Sequence, residues 1–144
     1  MQCPMPTINT NDDKKLKEIF ENTQNIAIVG LSPDPTKASH IVAKYLQEKG
    51  FVIFPVYPKE EFILGQKVYR SLSEIPKRID MVDMFRKPAF GDELVLEAQK
   101  RGDIKYFWLQ LGIVNNEACH KAEEFGMVAV QNKCTKIEYQ RLFR

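Results

Sequence analysis

The chain has 144 residues, the size of one domain and short for two. At 44% hydrophobic and 28% charged it can build a core without disulfide staples. The formal net charge is only +2, with Lys and Arg interleaved among Asp and Glu, which argues against a nucleic-acid partner. The cysteines are Cys3, Cys119 and Cys134, an odd number with no CxxC pair, so neither a disulfide framework nor a metal site is expected. The expected setting is reduced and cytoplasmic. The first residues lack the basic flank and apolar run of a signal peptide, and no stretch approaches ~18 apolar residues, so no membrane contact is expected.

Residues 1–10, with Pro4, Pro6, Asn9 and Thr10, read as a loose lead-in to a single domain spanning 1–144. Asn11 to Glu21 reads as a short helix, with Leu16, Ile19 and Phe20 at helical spacing and Thr10 or Asn11 as its cap. Ile26 to Val29 is a β-type run that stops at Gly30. Ala38, Ile41, Val42, Tyr45 and Leu46 then mark an amphipathic helix that ends at Lys49-Gly50. Phe51 to Phe54 is the next strand, followed by a loop over 57–79. Met81 to Phe85 is a strand, and Phe90 to Arg101 a helix closed by Gly102. Ile104 to Leu109 is a strand, Asn115 to Phe125 a helix closed by Gly126, and Met127 to Val130 a strand. A last helix covers Thr135 to Leu142.

Near-continuous apolar strands alternating with helices imply a parallel sheet buried on both faces. Right-handed crossovers then give an α/β, Rossmann-like, doubly wound five-stranded sheet with helices on both faces. Ligands of such sheets sit at the carboxyl ends of the strands, and four strand ends here carry polar chemistry.

After the first strand, Gly30, Leu31, Ser32 and Pro33 lead through Lys37 to Ser39. Gly30 permits close backbone approach, the helix start offers N–H groups to an anion, and Ser32 and Ser39 can donate hydrogen bonds. The dinucleotide glycine pattern is incomplete, and an ordinary loop with Ser39 capping the helix is the other reading. After the second strand stands Lys59 where an NAD-binding domain carries an acid; it suits a phosphate, or is a solvated loop lysine. After the third come Phe85, Arg86, Lys87 and Pro88, and arginine can stack on a purine or fork onto phosphate. The fourth end holds Trp108 and Gln110. The tryptophan is more readily core than contact, whereas the amide is harder to explain as core.

Taken together, the stretches IAIVGLSPDP, VAKYLQEKGF, PVYPKEEFILGQKVYRSL, DMVDMFRKP, WLQLGI and NKCTKIEY resemble the small proteins of the CoA-binding-domain family. That domain is similar to the amino-terminal domain of the succinyl-CoA synthetase alpha subunit and to part of the NDP-forming acyl-CoA synthetases. The resemblance runs from about residue 15 to the end of the chain. It implies coenzyme A as ligand. Gly30, Leu31, Ser32 and Pro33 would hold the pyrophosphate, Lys59 the adenosine phosphate end, and Phe85, Arg86 and Lys87 the adenine or ribose. Trp108 and Gln110 would lie near the sheet edge of the pocket, and Cys134, in the Asn132-Lys133-Cys134 turn, would approach the pantetheine arm. It does not imply synthetase activity, because His40 and His120 match no phosphorylated histidine.

No catalytic set is visible, so the expected protein binds CoA or an acyl-CoA, with a homodimer or a protein partner left open. Two alternatives remain. One is a thiol-dependent enzyme or CoA-disulfide carrier using Cys134, with Lys133, Lys136 or the helix start at Thr135 lowering its pKa. The other is an NAD-binding redox protein. Cys119 and His120 are adjacent on a helix and point apart, so Cys119 is read as packing.

Overall fold

The computed structural model describes residues 12–143. The lead-in over 1–10, the caps Thr10 and Asn11, and Cys3 lie outside the described residues. Helix α1 covers Asp13–Glu21, strand β1 Asn25–Val29, α2 Ala38–Glu48 and β2 Val52–Val56. Two short strands follow, β3 Phe62–Ile63 and β4 Gln66–Lys67, and then a 3-10 turn over Leu72–Glu74. The chain continues with β5 Met81–Met84, α3 Phe90–Arg101, β6 Tyr106–Leu109, α4 Asn116–Glu124, β7 Val128–Val130 and α5 Thr135–Leu142.

Five strands form one parallel sheet in the order β2-β1-β5-β6-β7. All four residues of β5 and all four of β6 are buried, as continuous apolar strands require when both faces are covered. One face packs on α3 and α4 through Leu94, Val95, Ala98, Ala118 and Ala122. The other packs on α1, α2 and α5 through Leu16, Phe20, Val42, Leu46 and Tyr139. Cys119 is fully buried among the first set, and burial pushes its thiol up to about 12.

Three local outcomes differ from the sequence reading. Asp12 supplies a cap for α1, its carboxylate accepting the Lys15 N–H at 3.1 Å. Ser39 does not cap α2: Lys37 occupies the cap position, and Ser39 lies inside the helix, buried. The 57–79 loop contains the β3–β4 hairpin, turning on Leu64 and Gly65 at φ 53° and 76°. Two central residues with positive φ match the twist of such hairpins. Pro55 falls inside β2 without breaking the sheet, because β2 is an edge strand and the carbonyl of Pro55 faces outward to accept the Tyr69 N–H at 2.9 Å.

At the amino ends of the strands Asp80 gathers three of them. Its Oδ2 accepts the N–H of Gln24 at 2.9 Å and of Asn25 at 3.0 Å. Its backbone carbonyl accepts from Lys105 and Tyr106. Burial raises the Asp80 pKa, but the two N–H donors and Arg78 together outweigh it, and the carboxyl sits below its ordinary value. Replacing Asp80 by Ala leaves two partly buried backbone donors without their carboxylate, and the expected loss of stability is about 1–3 kcal/mol. A folded-state pKa below the unfolded one means this contribution is present at neutral pH and fades as pH falls through the folded value. Urea melts should therefore show a similar deficit at pH 8 and pH 6 and a smaller one in strong acid. A variant as stable as the parent at pH 7 contradicts this role.

Candidate ligand-binding site

The chain runs outward from β1 to β2 and then returns to β5 on the other side of β1, so the crevice of the sheet opens between the carboxyl ends of β1 and β5. There the first and third sequence segments meet. Gly30 adopts φ 90°, and a Cβ on it would stand 3.0 Å from Cδ of Arg86 and 3.2 Å from the backbone oxygen of Phe85. Only a glycine accommodates both that conformation and that approach. Leu31 is fully buried and anchors the loop.

The loop is braced internally. The Ser32 N–H donates to Ser39 Oγ at 2.9 Å, the Asp34 N–H donates to Ser32 Oγ at 3.1 Å, and His40 Nδ1 meets the Ser32 carbonyl at 2.9 Å. Ser39 thus holds the loop rather than the helix end. Pro33 has no N–H to give. Among the described residues the N–H groups of Leu31, Ala38 and Ser39 have no protein acceptor, and these are the donors left for an anion.

The third segment splits across the sheet. Phe85 turns toward the α2 and α5 side, partly buried. Arg86 turns toward α3, its guanidinium carbon 4.5 Å from the centroid of Phe90. One face of the guanidinium is therefore spent on an aromatic ring. Lys87 is exposed, and its carbonyl accepts the Phe90 N–H as α3 begins. Beside Arg86 lies a cavity of about 260 Å³ at the ends of β1 and β2. Its floor is apolar, with Val29, Val56, Leu72 and Leu94. Its rim carries Arg70, Arg86, Glu93 and Glu97. Among the described residues none of these four makes an ion pair.

The remaining expected residues stand elsewhere. The Lys59 side chain is exposed and does not line this cavity. Trp108 is 1% exposed in the core, its Nε1 donating to the Lys133 carbonyl at 2.8 Å. It lies in β6, one strand in from the edge. Cys134 is half-buried at the start of α5, in the turn that Trp108 holds. Gln110 is buried, and its Nε2 lies 2.8 Å from Asp83 Oδ1 and 2.8 Å from Thr135 Oγ1. Thr135 donates to Asp83 Oδ2 at 3.0 Å. The amide that resists explanation from the sequence is thus the partner of a buried acid. The signal for that was Asp83 itself, a carboxylate inside an apolar strand, which must find donors. Arg70, Glu93 and Phe90 had no comparable local signal.

Residues 24–140 match the CoA binding domain family. The chain belongs to that family. Among its relatives, the Uncharacterized protein YneT of Bacillus subtilis is 36% identical over 129 residues, which covers 87% of this chain and 92% of that one. A hypothetical protein from Pyrococcus horikoshii superposes with a TM-score of 0.90 at 41% identity, over the whole of both chains. The alpha subunit of an ADP-forming acetate–CoA ligase of Pyrococcus furiosus is 30% identical over 117 residues. This CoA-binding-domain chain spans only 26% of that subunit's length. No helix among the described residues is long and apolar enough to cross a membrane.

Asp83 carries a pH signature. Burial pushes its carboxyl up to about 7, against the opposing hydrogen bonds from Gln110 and Thr135. A folded value above the unfolded one means the fold gains from the protonated acid, so this contribution is full in acid and is lost as pH rises toward 7. Asp83→Asn stays neutral throughout. In denaturant melts the variant should gain on the parent between pH 5 and pH 7, by up to ~1.4 kcal/mol per pH unit, and then hold level. A difference that does not change with pH defeats this assignment.

Proposed function

We propose that this protein binds coenzyme A or an acyl-CoA along the carboxyl edge of its sheet, nucleotide end first. The observation that carries the reading is the contact of Gly30 with Arg86. It joins an anion-accepting loop to a cation stacked on an aromatic ring, at the crevice where such sheets take nucleotides. The pyrophosphate lies on the Gly30-Leu31-Ser32-Pro33 loop, facing the free N–H groups of Leu31, Ala38 and Ser39. Lys87, exposed beside the crevice, adds charge.

The adenosine end enters the cavity beside Arg86. At about 260 Å³ it falls just below the ~300–1,000 Å³ of pockets that enclose drug-sized ligands, so it suits one part of CoA and not the whole. The guanidinium face of Arg86 opposite Phe90 is the stacking surface for the adenine. Family membership supports CoA as the ligand class. Phe85 on the opposite side of β5, and Trp108 behind it, support the wall and the 132–134 turn rather than touching the nucleotide.

Calorimetric titration with CoA is the direct test, with NAD as the competing nucleotide. CoA should bind and NAD should not. Arg86→Ala should weaken CoA binding by roughly tenfold or more, about 1.4 kcal/mol, without moving the melting transition appreciably. Equal affinity in parent and variant removes Arg86 from the site. No heat with CoA at millimolar concentration defeats the ligand assignment.

A further inference from the structure

The rim of the cavity holds a cation that is unusually well aimed for an exposed side chain. Arg70 follows β4, and its Nη1 donates to the carbonyls of Tyr57 and Lys59, both at 3.0 Å. Its backbone N–H donates to Glu74 Oε1 at 2.9 Å. A guanidinium has five N–H donors in a rigid fork. Nη1 uses both of its hydrogens on carbonyls, and among the described residues Nε and Nη2 have no acceptor. The free edge is the one that forks onto a phosphate or carboxylate.

The segment that carries Arg70 is itself pinned. Arg101 Nη1 donates to the carbonyls of Leu72 and Ile75 at 2.8 Å, and Nη2 to that of Lys77 at 2.8 Å. The Tyr69 N–H donates to the Pro55 carbonyl, and the Tyr57 N–H to the Tyr69 carbonyl. The root of Arg70 and the Tyr57 residue whose carbonyl helps to orient its tip are therefore tied to the sheet before a ligand arrives.

Resting on the CoA reading, we propose that Arg70, and not Lys59, is the residue that selects the 3′-phosphate of the adenosine. Lys59 serves the site through its backbone carbonyl, which orients Arg70, while its ammonium stands outside the cavity. Glu93 and Glu97 on the facing side of the rim favour the same ligand. A cavity with two guanidiniums and two carboxylates, unpaired with one another, complements a molecule that carries both an anion and hydrogen-bond donors. A 3′-phosphorylated adenosine has both, in its phosphate and in its amino and hydroxyl groups. Glu97 is partly committed, accepting the Leu72 N–H at 3.3 Å, which leaves Glu93 as the freer acceptor.

The test is the ratio of affinities for CoA and dephospho-CoA, measured by calorimetry in the parent, Arg70→Ala, Arg70→Lys and Lys59→Ala proteins of matched melting temperature. The parent should prefer CoA by about tenfold or more, as a charge-assisted forked contact implies. Arg70→Ala should bring the ratio close to one, mainly by weakening CoA, with dephospho-CoA held within about twofold of the parent. Arg70→Lys should keep part of the preference, because it retains the charge and loses the fork. Lys59→Ala should keep all of it, since its carbonyl remains. A preference that survives in Arg70→Ala, or disappears in Lys59→Ala, overturns the assignment while leaving CoA binding intact. Failure of the parent to bind either compound overturns the CoA reading, and this inference with it.

Discussion

One carboxylate sets the register on which the site depends. Asp80 takes two N–H groups from the start of β1, and its own main chain pairs with β1 on one side and with the start of β6 on the other. With β1 and β5 fixed at their amino ends, Val29 falls opposite Met84 at their carboxyl ends. The next residues out are Gly30, Phe85 and Arg86, which is why they meet. A slip of one residue would send Arg86 to the α2 side and Phe85 to the α3 side. The cavity would then lose one of its two cations and gain a ring.

The same strand shows how burial and partners decide the fate of an acid. Asp80 and Asp83 are both buried, yet their carboxyls move in opposite directions. Asp80 faces backbone N–H groups and a guanidinium, which favour the anion. Asp83 faces only a neutral amide and a hydroxyl, too little to offset complete desolvation. The first acid locks the strand starts. The second joins the end of β5 to the loop after β6 and to the first residue of α5, so the carboxyl edge is braced by groups that never reach the surface.

The helices and the strands of the main sheet were legible because each announces itself locally. Gly50, Gly102 and Gly126 sit at positive φ just past α2, α3 and α4, and the apolar runs that follow become β2, β6 and β7. The Gly30 and Arg86 segments were legible as strand ends carrying polar chemistry. What the sequence hid depends on distant partners. The strands of the hairpin have two residues each, too short for any periodicity. Leu64 adopts a positive φ that leucine rarely takes; its carbonyl accepts from Gln47 of α2 and its side chain packs on the core. Without that hairpin Arg70 reads as one more loop cation, and Lys59, nearer to a strand end, looks the better candidate. Trp108 reads as core in the sequence and is core in the structure, whereas Gln110 stayed opaque because an amide at a strand end resembles a ligand contact until its internal partner is known.

The proposed arrangement also constrains what such a domain can distinguish. Its fixed donors and cations gather at the crevice between β1 and β5 and at the cavity beside Arg86, and they complement phosphate, purine and ribose. These groups are common to CoA and to every acyl-CoA. Affinity built there is uniform across acyl groups, because binding energy discriminates only where the ligands differ. Any preference for one acyl chain must come from the opposite side of the β1 loop, where the half-buried Cys134 and the start of α5 lie. There the structure offers a turn held by Trp108 and a helix start held by Asp83, a wall of set shape flanked by Lys133 and Lys136. A domain of this design fits roles in which the nucleotide handle is recognised and the cargo is left to a partner or a further active site.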